Sequence, residues 1–115
     1  MLAKKYRFHG HGSLRYVNKN GTKARDKFFV VKTSTNPRRK QPRVAVVISK
    51  KIHKSAVARN RVRRRVYELV RHQLTDMTTA SDIVVIVVSP EVRFAESANL
   101  QQSIKQLFSQ LGLYN

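Results

Sequence analysis

Arg43-Val44-Ala45-Val46-Val47-Ile48-Ser49-Lys50-Lys51, followed after a short gap by Ala58-Arg59-Asn60-Arg61-Val62-Arg63-Arg64-Arg65-Val66-Tyr67-Glu68, is the stretch that decides how this chain folds. Its first half is rich in Val and Ile and reads as a strand over 43–48. Its second half changes period. From Ser55 to about Gln73 the apolar positions Val62, Val66, Leu69 and Val70 fall at helical spacing, which predicts the longest helix of the chain. At ~100° per residue, Val62, Val66, Leu69 and Gln73 share one side, Asn60, Arg64 and Arg71 the opposite one, with Arg59 and Arg63 on one flank and Arg61 and Arg65 on the other. The helix is therefore expected to bury one thin apolar stripe and to offer guanidinium groups over the rest of its surface.

Upstream, Phe28-Phe29-Val30-Val31 predicts an earlier strand, joined to 43–48 by the polar loop Thr33 to Pro42. Asp82-Ile83-Val84-Val85-Ile86-Val87-Val88 is uninterruptedly apolar after its first residue and predicts a strand covered on both faces, hence inside its sheet. A last helix over about 97–111 carries Leu100, Ile104, Leu107, Phe108 and Leu111 and closes at Gly112. Near the N-terminus, residues 1–12 read as a flexible basic arm and Ser13 as the cap of a short helix with Leu14, Tyr16 and Val17. The expected order is α-β-β-α-β-α, an α+β fold with helices packed on a small sheet, in a single domain over 13–115.

Composition narrows the function. The 115 residues contain 24 Lys and Arg against six Asp and Glu, a formal net charge of +18. The imbalance is local: residues 1–65 carry about +20 with Asp26 as their one acid, and residues 66–115 about −2. Like charge at this density repels itself, so a polyanion is the expected partner, nucleic acid first. The absence of cysteine removes disulfides, thiol nucleophiles, zinc fingers and iron–sulfur clusters. The longest apolar run, Ile83 to Val88, is too short to cross a bilayer, and Met1 to Gly10 lacks the apolar core of a signal peptide, so a cytoplasmic protein with no membrane partner is expected.

Five arginines within residues 59–65 supply planar forks that bond phosphates through paired N–H groups. Asn60 adds a polar group suited to a base edge, a ribose or the backbone, and Lys50, Lys51, His53 and Lys54 extend the positive surface before the helix. The Ser49-Lys50-Lys51 step followed by Arg59-Asn60-Arg61-Val62-Arg63-Arg64-Arg65 resembles the signature of the bacterial ribonuclease P protein subunit, and Ser81-Asp82-Ile83-Val84-Val85-Ile86 with the last helix looks like the remainder of that family, over about residues 26–113.

This resemblance implies a left-handed βαβ crossover and a partnership with a catalytic RNA that removes the 5′ leader of precursor tRNA. It also implies that hydrolysis belongs to the RNA and its Mg2+, with no cofactor bound by the protein alone and no obligate protein partner. Lys50, Lys51, Lys54, Arg59, Asn60, Arg61, Arg63, Arg64 and Arg65 would then face RNA. A cleft between the first helix and the sheet would take the single-stranded leader, with Tyr16, Phe29 and Lys32 as its candidate residues. Here the chain departs from the family: Leu14, Asn18 and Lys32 stand where aromatic residues are common, and Val88-Ser89 replaces a basic pair before Pro90.

Catalysis by the protein itself lacks parts, since no carboxylate pairs with a histidine in the strong elements, no phosphate loop or nucleophile elbow appears, and His9 and His11 lack a third metal ligand. The alternative from another class is a ribosomal or ribosome-associated structural RNA-binding protein. A DNA major-groove reader fits less well, because arginine on nearly every face suits phosphates more than base edges.

Overall fold

The computed structural model describes residues 21–35, 42–74 and 81–113. Four strands form one sheet: β1 (Thr22–Arg25), β2 (Phe29–Thr35), β3 (Arg43–Ile48) and β4 (Ser81–Val87), in the spatial order β1-β2-β4-β3. Helix α1 (Ala56–Leu74) links β3 to β4, a 3₁₀ turn spans Pro90–Arg93, and helix α2 (Ser97–Gln110) follows. β3 and β4 run parallel, while β2 is antiparallel to both β1 and β4. The chain is therefore α+β around one βαβ unit. The expected first helix, with Tyr16, lies outside the described residues.

β4 occupies the interior position that its apolar run predicts. Ile83, Val85 and Val87 point into the main core with Phe29, Val31, Val44, Val46 and Ile48, against α1 and α2. On the other face, Val84 and Ala45 are buried in a second, smaller cluster with Ile86. Backbone pairing carries β2 through Thr35, opposite Ser81, so Thr33 to Thr35 belong to the strand and not to the loop expected there. β1 is a strand that the sequence pattern does not announce. It is held by pairing Thr22–Arg25 with Thr33–Val30, and its side chains are mostly exposed.

The turn between β1 and β2 shows what Asp26, the one acid of residues 1–65, does. Its Oδ1 accepts from the N–H groups of Phe28 at 2.8 Å and Phe29 at 2.9 Å, and its Oδ2 accepts from the Ser103 hydroxyl of α2. One carboxylate thus shapes the turn and ties it to the last helix. At the far end of α2, Gly112 adopts φ +70°, and the N–H of Leu113 returns to the Phe108 carbonyl at 3.1 Å. That is the left-handed closure which only glycine enters cheaply.

At the start of the parallel pair, Arg43 sits opposite Asp82 and makes a two-pronged ion pair, Nε to Oδ1 at 2.9 Å and a terminal guanidinium nitrogen to Oδ2 at 3.0 Å. The side chains are only 14% and 8% exposed. Removing one partner strands a largely desolvated charge, so Asp82→Ala is expected to lose about 3 kcal/mol. Thermal and denaturant unfolding of the variant check this; a melt indistinguishable from the parent would refute the assigned role of the pair.

Candidate nucleic-acid interface

Helix α1 begins at a side-chain cap, the Ser55 hydroxyl accepting from the Ala58 N–H at 3.3 Å, and ends with Arg71 and His72 in its last turn, where cations suit the helix dipole. Ala58, Val62, Val66, Leu69, Val70, Gln73 and Leu74 are buried, together with Tyr67, whose hydroxyl accepts from the Val46 N–H of edge strand β3 at 3.4 Å. The expected orientation holds, with Val62, Val66, Leu69 and Gln73 inward and Asn60, Arg64 and Arg71 exposed. The stripe is thin only over the arginine-rich half. From Val66 onward it widens to take in Tyr67, Val70 and Leu74, because there the helix lies against both the sheet and α2. A further tie is the Gln101 amide, which donates to the Leu69 carbonyl at 3.1 Å.

The arginines divide by what they hold. Arg59 donates to the carbonyls of His53 and Lys54, both at 2.9 Å, and pins the loop entering the helix. Arg63 donates to the Asn60 side-chain oxygen at 2.7 Å, joining two side chains on the surface. Arg65 reaches across to the turn after β4, donating to the carbonyls of Val92 at 2.8 Å, Arg93 at 2.9 Å and Ala95, and to the Ser97 hydroxyl. It acts as a brace between α1 and that turn. Arg61 and Arg64 are exposed, and among the described residues no protein acceptor holds either. Lys50, Lys51 and Lys54 are exposed between β3 and α1.

No acid stands in the first turn of α1, so the positive end of the helix dipole adds to the local cations. Farther along, Glu68 accepts from Arg71 at 2.9 Å, and that bond holds its carboxyl below the usual carboxylate range. Its charge is thereby paired on the same helix, away from the 59–65 cluster.

The second face of the sheet carries the other candidates. Register sets Lys23, Lys32, Val84 and Ala45 in one row across the strands, and Arg25, Val30, Ile86 and Val47 in the next. Lys32 is half-buried on this face. Phe29 is not on it: its ring is 0% exposed and packs in the helix-side core. Phe29 is therefore a core residue rather than a stacking surface, since strand alternation sends it to the opposite side from Lys32. Lys23 and Arg25 join Lys32 through the unforeseen β1, which is why the residue pattern did not mark them. Tyr16 lies outside the described residues.

The carboxylates of the described residues are mostly committed: Asp26 to its turn, Asp82 to Arg43 and Glu68 to Arg71. Among the described residues no three His, Cys, Asp or Glu side chains gather where they could hold a metal ion. Likewise, no described helix is long and apolar enough to cross a membrane.

A small sheet that presents a cation-crowded helix, while its acids serve local structure, defines a basic α+β module for binding polyanions. Comparison with known proteins narrows the class. The family model Ribonuclease P matches residues 2–112. The ribonuclease P protein component of a Synechococcus species is 34% identical over 100 residues, covering 87% of this chain and 75% of its own. That of Bacillus velezensis is 30% identical over 115 residues, covering 98% and 95%. Among solved structures, the Staphylococcus aureus RNase P protein superposes with a TM-score of 0.82 at 24% identity, covering 96% of this chain and 98% of that one, a likeness of fold. The chain belongs to the ribonuclease P protein family, whose members are the protein component of a ribonucleoprotein endoribonuclease that matures tRNA 5′ ends, and ribonuclease P RNA is its partner. These comparisons give the ribosomal alternative no support.

Proposed function

We propose that this chain binds ribonuclease P RNA through the exposed side of α1, with Arg61 and Arg64 meeting phosphates and Lys50, Lys51 and Lys54 extending the contact, and that it promotes removal of the 5′ leader from precursor tRNA. The observation that carries this reading is the division of labour on α1: Arg59 and Arg65 brace neighbouring backbone while Arg61 and Arg64 project outward. Arg63 and Asn60, already joined, act as one polar unit toward the RNA. The braces fix the loop entering α1 and the turn after β4 before the RNA arrives, which lowers the backbone part of the ordering cost of binding.

In this reading the leader follows the second face of the sheet, where Lys23, Arg25 and Lys32 track its phosphates. The protein contributes binding and orientation, and Mg2+ acting through the RNA subunit supplies activation of the water and stabilisation of developing charge. The cytoplasm, where such RNAs are made, is the proposed compartment.

The test is cleavage of a leader-bearing precursor tRNA by a bacterial ribonuclease P RNA, at low Mg2+ and moderate salt, with and without the protein. Cleavage at the mature 5′ end that depends on the protein is expected. Tight binding of the cognate RNA with no stimulation of its cleavage would overturn the reading.

A further inference from the structure

Phe94 is 79% exposed, the most exposed of the large apolar side chains described. Leaving a phenylalanine ring in water is costly, and a flexible loop would fold it down. This turn cannot do so. Ser89 caps it, its hydroxyl accepting from the Glu91 N–H at 3.1 Å, and Val92 anchors it in the core at 0% exposure. The N–H groups of Phe94 and Ala95 return to the Glu91 carbonyl at 3.0 and 2.8 Å. Arg65 of α1 then grips the carbonyls on either side of the ring, those of Val92, Arg93 and Ala95. The ring is held outward by a rigid support.

Exposed Glu91 and Glu96 flank the turn, but the groove on the α1 side of the ring is cationic. The Arg93 guanidinium lies 5.1 Å from the ring centroid, and a groove of about 290 Å³ is lined by Arg61, Val62, Arg65, Arg93 and Phe94. The guanidinium groups of Arg61 and Arg93, beside the committed Arg65, with one aromatic ring and no acid in the lining, make a poor seat for an apolar peptide or a lipid surface, which calls for a broader apolar patch. They suit an anion with a flat, stackable part. An unstacked nucleotide has both: its base stacks on the aromatic ring and guanidinium planes, and its phosphate meets an arginine fork.

We propose that Phe94, Arg93 and the Arg61 flank of α1 form a seat for one unstacked nucleobase of RNA, with Arg61 on the adjoining phosphate. This rests on the reading of α1 as an RNA face and extends that face to the turn after β4. The base comes either from ribonuclease P RNA or from precursor tRNA.

The chain has no tryptophan, so Phe94→Trp places a single indole at the seat. Titration with ribonuclease P RNA, alone and then with precursor tRNA, is expected to quench it. Quenching by ribonuclease P RNA alone assigns the base to the catalytic RNA, and quenching only after precursor tRNA is added assigns it to the substrate. Phe94→Ala and Phe94→Leu are both expected to bind the RNA that quenches about five- to a hundredfold more weakly, with unchanged melting and an unchanged salt slope. Leu supplies bulk without a π-face, so full affinity in Phe94→Leu, parental affinity in Phe94→Ala, or an unquenched indole at saturation would each overturn the seat. If Phe94→Ala binds normally while an Arg61, Arg64 double variant does not, the seat fails and the arginine face stands. If both bind normally, the arginine face fails as well.

Discussion

Val66→Asp is expected to leave the chain unfolded, with no cooperative thermal transition and a coil-like circular dichroism spectrum. Val66 is 0% exposed and lies where α1 meets the sheet, in one cluster with Val62, Val70, Ile104 and Phe108. The substitution removes a buried apolar side chain and places a carboxylate among groups that offer it no partner. Burying an unpaired polar group costs several kcal/mol even when the surroundings relax. The whole stability of a domain this size is of order 5–15 kcal/mol, and like charge at +18 opposes the compact state. Val66→Ala, which leaves only a cavity, is expected to lose about 2 kcal/mol and still fold. Melting within a few degrees of the parent by Val66→Asp would mean that α1 does not pack through this face.

That same face shows how far residue periodicity carries. The inward positions of α1 and the interior place of β4 were legible, because burial on one side or on both writes itself into hydrophobic spacing. Strand β1 was not: Thr22-Lys23-Ala24-Arg25 has only Ala24 partly packed, and the strand exists through backbone pairing with β2, which no side-chain pattern records. The same pairing extends β2 to Thr35 and brings Lys23 and Arg25 beside Lys32. Within the arginine cluster the residue types were legible and their duties were not. Arg65 looks like its neighbours in sequence, yet its guanidinium serves carbonyls 27 to 30 positions away. Phe94 follows Pro90 outside any periodic segment, and only the fold brings Arg61 and Arg65 beside it.

These duties predict that the arginines of one cluster respond differently to substitution. Replacing Arg61 and Arg64 together with Ala is expected to weaken binding to ribonuclease P RNA by about a hundredfold near physiological salt, about tenfold for each arginine. The fold should be unaffected, since both side chains are exposed and no described protein group accepts from them. The slope of log affinity against log salt should fall by about 0.7–0.9 for each phosphate left without its arginine, and at high salt the parent and variant should converge. Lys at both positions keeps the charge and loses the fork, so it should restore the slope more fully than the affinity. Arg65→Ala provides the contrast: it releases the Val92–Ser97 turn, so its effect should appear as lower stability and as a Phe94 ring no longer held in place. Binding isotherms at several salt concentrations, paired with melting curves, separate the two classes. If the Arg61, Arg64 double variant keeps both parental affinity and parental slope, the outward side of α1 does not meet the RNA, and the charge of this chain is used elsewhere on its surface.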